Sequence, residues 1–444
     1  MFFQQSANCP VTTTVAVIDA SAIASATSAS KAAGLRLSVL LIGLACAAFA
    51  HADDGMSKQG WSLQGFGSAG AAYSNNTDAD YVTSALKPEG VGASGRWSTD
   101  LDTRLGAQLN FTANNKWSAV LQVVSEQHLD RGYRPAVEWA NIKYQVSPDL
   151  ALRVGRIALP MFLAADYRKV GYAFPWARTP VELYGGIPLT SSDGIDATYR
   201  FNRGALKNVT QGFYGRTHQA LPEGSGLEAE RLAGFTNTTE YGAASVRLSM
   251  LSADVSIDVN VLRSFFGRLR QFGPQGAVLA DRYDLNHKRV TAVSIGASYD
   301  PGRWFVMGEL GRKQTHSLLG DTTAFYATAG YRLGNFTPYL TYARVRADSA
   351  TTEPGLNLAG FPPAAAGAGA VMNGYLNALL KTVRAQRTIS LGARWDCMTN
   401  IALKLQLDHV TPQDGSQGSF AHLRPGFRSG RSVNVASAVL DFVF

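Results

Sequence analysis

Apolar and polar residues alternate with a period of two along most of this chain. The pattern is cleanest over residues 100–112, D-L-D-T-R-L-G-A-Q-L-N-F-T. There Leu101, Leu105, Leu109 and Phe111 share one face, and Asp100, Asp102, Arg104, Gln108 and Asn110 share the other. Such a strand divides an apolar environment from a wet one. A slip of one residue would drive Arg104 into the apolar side, at about 2–4 kcal/mol near a bilayer midplane. The same reading predicts strands over 61–73, 117–128, 136–146, 150–157, 195–201, 209–216, 241–250 and 254–263. It continues with 289–299, 303–313, 323–333, 336–346, 388–396, 401–410 and 433–444. Together these are about sixteen strands, within the range of single-chain bacterial barrels.

The connections alternate in length. Short ones fall at 147–149, 300–302, 334–335 and 397–400, and long Gly/Pro/Ala-rich ones at 74–99, 158–192, 217–240, 264–288, 347–387 and 411–431. Turns on one side and loops on the other predict an all-β, transmembrane, antiparallel up-and-down β-barrel with short periplasmic turns and long extracellular loops. A soluble β-sandwich has no reason to keep that parity. Trp61, Tyr73, Trp117, Tyr144, Tyr299, Trp304, Tyr331 and Trp395 gather near strand ends, where a membrane interface would hold them. No apolar run reaches the ~18 residues of a transmembrane helix, and the mean hydropathy of −0.05 reflects interleaving. Leu376, Leu379, Leu380 and Val383 lie at helical spacing within 364–386 and predict a short helix in a loop.

The closing stretch, Val433 to Phe444, reads V-N-V-A-S-A-V-L-D-F-V-F. Leu440, Phe442 and Phe444 share one face, and Ser437 and Asp441 the other. This ending resembles the C-terminal strand of the general porins of the Gram-negative outer membrane. The resemblance implies a last strand that seals against the first and is read by the barrel-assembly machinery, a homotrimer, and passive diffusion of small hydrophilic solutes and ions. It also implies that the long connection after the fifth strand, around 158–192, folds into the barrel and narrows it. Pro180-Val181-Glu182 with Gly185-Gly186 is a loose echo of the acidic motif that enterobacterial relatives carry there.

On that footing Asp166, Arg168, Lys169, Arg178 and Glu182 of the loop face a wall carrying Arg104, Arg153, Arg200, Arg394 and Lys404, all at inward positions. Opposed charge rows across a narrow passage set up a transverse field that orients polar solutes and discriminates ions. The plain alternative is that these cations pair with Asp102, Asp196, Asp396 and Asp408 in a crowded interior. The net charge of +8 suggests weak anion preference, and the cations are too scattered for a nucleic-acid surface. Basic residues facing lipopolysaccharide fit the same balance.

Lys31 and Arg36 precede the apolar run 37–50, and Ala50-His51-Ala52 is a small-x-small cleavage pattern. Residues 1–52 thus read as an N-terminal extension with a signal peptide cut after Ala52, and 53–444 as the barrel domain in the outer membrane. Cys9 and Cys46 would leave with the signal, so Cys397 has no disulfide partner. Gly65-Phe66-Gly67-Ser68-Ala69-Gly70 matches a dinucleotide fingerprint but lies inside a strand, where no helix follows to hold a pyrophosphate. The histidines show no H-x-x-x-H pair, and no serine sits in G-x-S-x-G. The reading is a channel without cofactor or metal and not an enzyme. The rival readings are a substrate-specific channel, a barrel enzyme, or a barrel plugged by its own loops.

Overall fold

The alternating segments close into a ring. The computed structural model describes residues 59–87, 90–221 and 225–444. The expected extension and signal, including the cut after Ala52, lie outside the described residues. The structure is a closed antiparallel barrel of 16 strands. The first eight are β1 (Gly60–Ser74), β2 (Arg104–Thr112), β3 (Trp117–Glu126), β4 (Ala136–Gln145), β5 (Leu150–Ala158), β6 (Ser191–Arg203), β7 (Leu206–Ala220) and β8 (Gly226–Tyr241). The others are β9 (Ala244–Asp258), β10 (Lys288–Tyr299), β11 (Trp304–Gln314), β12 (Thr322–Tyr331), β13 (Phe336–Ala347), β14 (Gln386–Met398), β15 (Ile401–Pro412) and β16 (Val433–Val443).

Each strand pairs with its neighbours in sequence, and β1 completes the ring. Its first half pairs with β2, from Gly60 opposite Thr112 to Ser68 opposite Arg104. Its second half pairs with β16, from Phe66 opposite Val443 to Ser74 opposite Val435. That offset is the stagger a tilted barrel requires.

One face of every strand looks outward. Leu391 is 60% exposed, Leu405 55% and Ile295 51%, and they belong to a continuous apolar band. The expected inward residues look the other way: Lys404 and Asp441 are wholly buried inside the ring. Outward aromatic pairs mark the turn end, among them Trp117 with Tyr144 and Tyr299 with Trp304.

Two expectations are corrected between β7 and β10. Residues 217–240 are not a long loop: β7 and β8 run past one another to Ala220 and Gly226. Their outer face carries Asn208, Thr210, Asn237 and Thr239, hydrogen-bonded among themselves at 2.7–3.2 Å, which conceals the apolar period. The strands expected at 241–250 and 254–263 are the single strand β9, followed by a helix from Asn260. Met250 points outward while Leu251 is buried inside, so the alternation fades where both faces are apolar.

Beyond the ring at the loop end lie α2 (Asn260–Arg270), α3 (Gly273–Tyr283) and α4 (Pro363–Leu380), while α1 (Val181–Tyr184) sits within the barrel. The helix expected from Leu376 and Leu380 is α4, and both residues pack with Phe266, Leu269, Leu279 and Tyr283 of α2 and α3. A small sheet of Asp80–Tyr81, Val91–Gly92 and Phe420–Ala421 ties the first long loop to the last.

Replacing Leu391 with Arg puts a charge on the band and should lower folding stability in lipid vesicles by about 2–4 kcal/mol. Urea titration reads the change. A loss under about 0.5 kcal/mol, the level of an ordinary surface substitution, would remove Leu391 from hydrocarbon.

Candidate functional site

Between β5 and β6 the chain runs inside the ring. The segment opens A-L-P-M-F-L-A-A, and this apolar character decides where it goes. Leu159, Met161, Phe162, Trp176, Leu183 and Tyr184 are buried together against inward residues of β7, β8, β9, β12 and β13, including Phe213, Leu232, Leu251, Tyr326 and Tyr339. Each large side chain so buried contributes about 1.5–3 kcal/mol. The wall leaves room for it. Leu163 occupies the space a Cβ on Gly296 would need.

Polar anchors fix the loop around the perimeter. Arg178 is buried, and it donates Nε to Asp102 Oδ1 at 3.0 Å, Nη2 to Asp102 Oδ2 at 2.6 Å and Nη1 to Asp408 Oδ2 at 3.0 Å. Its Nη2 also reaches Ser437 Oγ at 2.5 Å. Burial opposes the guanidinium's charge, but Asp102 and Asp408 outweigh it and hold Arg178 above its ordinary range. Lys404 donates to the carbonyls of Gly171 at 2.7 Å and Trp176 at 3.0 Å, and pairs with Asp441 at 2.7 Å. Asp441 also accepts from Ser68 of β1. Arg394 pairs with Asp396 at 2.6 Å and donates to the Phe174 carbonyl at 3.0 Å. Glu182 is buried, accepting from Gln386 Nε2 at 2.6 Å and from Thr388.

The loop also reaches across. On β11, Glu309 accepts the Leu163 amide at 3.2 Å and the Tyr184 hydroxyl at 3.2 Å. On β3, half a ring away, Glu126 pairs with Lys169 of the loop and with Lys87 of the first long loop, the latter at 2.7 Å. Burial draws Lys87 below its ordinary range while Glu126 pulls the other way. Opposite walls are therefore bridged by one segment. Beside it, at the loop end, lies a cavity of about 430 Å³ bordered by Arg104, Glu126, Arg156, Arg168 and Asp193.

The candidate residues thus fall into groups. Arg178, Arg394, Lys404, Lys169 and Glu182 all hold the loop. Arg168 does so within the loop, donating to the carbonyls of Ile187 at 2.9 Å and Tyr184. Arg153 pairs with Asp196 at 2.8 Å on the wall. Arg104 borders the cavity, its Nε 3.5 Å from the Asp102 carbonyl. Arg200 is exposed inside the ring near the turn end. The side chain of Asp166 lies outside the described residues. Sequence reasoning passed over Lys143, which faces inward because Ile142 and Tyr144 face out; the alternation of N-I-K-Y-Q carries that signal. It also passed over Glu309 and Glu126, whose roles depend on a loop distant in sequence. Among the described residues, no group of His, Cys, Asp or Glu gathers to hold a metal.

No family model and no curated protein matches the chain. Solved structures do. The anion-selective porin from Comamonas acidovorans is similar with a TM-score of 0.52 at 14% identity, over 87% of this chain and 100% of that one. The outer membrane channel DcaP of Acinetobacter baumannii is similar with a TM-score of 0.51 at 11% identity, over 88% of this chain and 100% of that one. At these identities the likeness establishes the fold, the 16-strand barrel of the Gram-negative outer-membrane porins.

Replacing Arg178 with Met strands two buried carboxylates and should lower stability by about 3–5 kcal/mol in thermal or urea unfolding. Adding Asp102→Asn and Asp408→Asn should restore most of the loss. A loss under about 1 kcal/mol for Arg178→Met, the scale of an exposed pair, would show that the cluster is no anchor.

Proposed function

We propose that this protein is an outer-membrane channel through which small hydrophilic solutes and ions diffuse down their gradients, with a weak preference for anions. One observation carries the reading: an apolar outer band encloses a charged interior that a pinned loop narrows without leaving the ring. A filled barrel core needs neither inward cations nor a cavity lined by them. Arg200 stands inside the ring with no carboxylate in salt-bridge reach among the described residues, and Arg104 stands opposite Glu126, whose charge Lys87 and Lys169 already meet, which favours anions. Where Arg178, Arg394 and Lys404 meet carboxylates, their charge is largely spent on the loop.

On this reading the turn end faces the periplasm and the loop end faces the exterior and lipopolysaccharide. The chain is a homotrimer, packed through the outer face of β1. That face offers Gly65, Gly67, Ala69 and Ala71 beside Ala436 and Ala438 of β16. The protein acts by passage and not by catalysis. The contact of one loop with both Glu126 and Glu309 favours a second reading, a narrow channel specific for one class of solute. Saturable block of the current by a solute at low concentration would select it over general diffusion.

Purified protein in a planar bilayer should conduct, and its reversal potential in a salt gradient should carry the sign of anion preference. Arg104→Glu should shift that potential toward cations. Cation selectivity of the unmodified protein would overturn the preference, and absence of conductance would overturn the channel.

A further inference from the structure

We propose that the inner wall near the turn end holds a binding site for a compact doubly charged oxyanion, formed by Lys143 and Arg200 with Arg153 between them. The class comprises phosphate, sulfate and short dicarboxylates. The site lies away from the loop and uses none of its anchors.

The register places the groups. Lys143 of β4 stands directly opposite Arg153 of β5, which stands opposite Asp196 of β6. All three point inward, since Ile142, Val154 and Ile195 are exposed on the outer face. Arg200 is on the same inward face of β6, one rung beyond Thr198 toward the turn. Directly opposed like charges destabilise a sheet. The carboxylate in that row is committed: Asp196 Oδ2 accepts Arg153 Nε at 2.8 Å, and its Oδ1 faces the Thr198 hydroxyl at 3.5 Å, while Asp149, whose carbonyl accepts the Arg200 amide at 2.8 Å, is exposed in the turn. The charged groups acting on Lys143 are Arg200 and Arg153, both positive. Gln145, next along the inward face, turns its amide to the Ser147 carbonyl at 2.7 Å. Among the described residues neither Lys143 nor Arg200 has a carboxylate in salt-bridge reach.

Three cations against one acid leave an excess of two positive charges on a concave wall, where low-dielectric surroundings strengthen the field. A dianion matches that excess. The ammonium offers three donors as a point charge and the guanidinium a planar fork, so together they suit tetrahedral or planar oxyanions better than halide. Four other cations are engaged elsewhere: Arg178, Arg394 and Lys404 with the loop, and Arg156 with Asp193 at 2.7 Å.

Binding of inorganic phosphate to the full chain in detergent, followed by calorimetry, tests the site without requiring transport. The unmodified protein should bind phosphate in competition with chloride. Lys143→Gln with Arg200→Gln should weaken it by about tenfold or more, equivalent to about 1.4 kcal/mol. Arg263→Gln, which removes a cation from outside the ring, should leave it unchanged. Unaltered unfolding midpoints will show that the variants fold, and the single Lys143→Gln provides a milder case with the same direction. In a bilayer, phosphate on the turn side should reduce chloride current more than phosphate on the loop side. No binding by the unmodified protein, or equal binding by the double variant, would overturn the proposal. The inference about transport rests on the channel reading, but the two fail separately. A protein that binds phosphate and does not conduct keeps the site and loses the channel, and one that conducts without binding does the reverse.

Discussion

The pairing of β1 with both β2 and β16 is the constraint from which the remaining structure follows. In hydrocarbon an unpaired amide or carbonyl has no water to turn to, so strands can cross only if the last edge meets the first. Closure is staggered here, with the halves of β1 serving different neighbours. Once the ring is closed, the two faces of each strand are assigned for good: one solvates in lipid, the other encloses a volume.

That volume must then satisfy its own charges. Asp102, Asp408, Asp441 and Glu309 are buried inside, where an unpaired carboxylate is strongly disfavoured. The loop between β5 and β6 brings Arg178, the Gly171 and Trp176 carbonyls and the Leu163 amide to meet them or their partners. Buried pairs add little net stability over apolar packing, but a misplaced one is heavily penalised. The apolar cluster around Trp176 and Tyr184 therefore supplies the driving force to enter the barrel, and the ion pairs specify where the loop stops. Arg104 at the loop end and Lys143 and Arg200 at the turn end take no part in anchoring the loop.

Much of the ring is legible in the sequence, because a strand between lipid and water must alternate. The facing of β2, β5 and β16 follows from that rule alone. It weakens where the physics changes. Around Leu251 and Ala253 the inner face packs on the loop and becomes apolar, and around Asn237 and Thr239 the outer face becomes polar, so β8 and β9 escape the rule. The inward position of Lys404 is legible too, the likeness to porins puts Arg178 and Glu182 inside, and Asp102, Asp196, Asp396 and Asp408 are the carboxylates expected to meet the inward cations; which cation meets which is not legible. Arg178 with Asp408, or Glu182 with Gln386, joins residues brought together only by closure, and no local pattern encodes them. Lys143 is the reverse case, a residue whose facing the alternation states and whose neighbours across β5 and β6 the register supplies.

Along each strand of the ring, alternate side chains meet hydrocarbon and water. Cysteine scanning along β2 in a Cys397→Ser background tests it most directly, with the protein in lipid vesicles and a charged, membrane-impermeant thiol reagent. Arg104→Cys, Gln108→Cys and Asn110→Cys should react, and Leu105→Cys, Ala107→Cys and Leu109→Cys should stay protected. Equal labelling of both sets, or protection of both, would contradict a lipid-embedded ring with a wet interior.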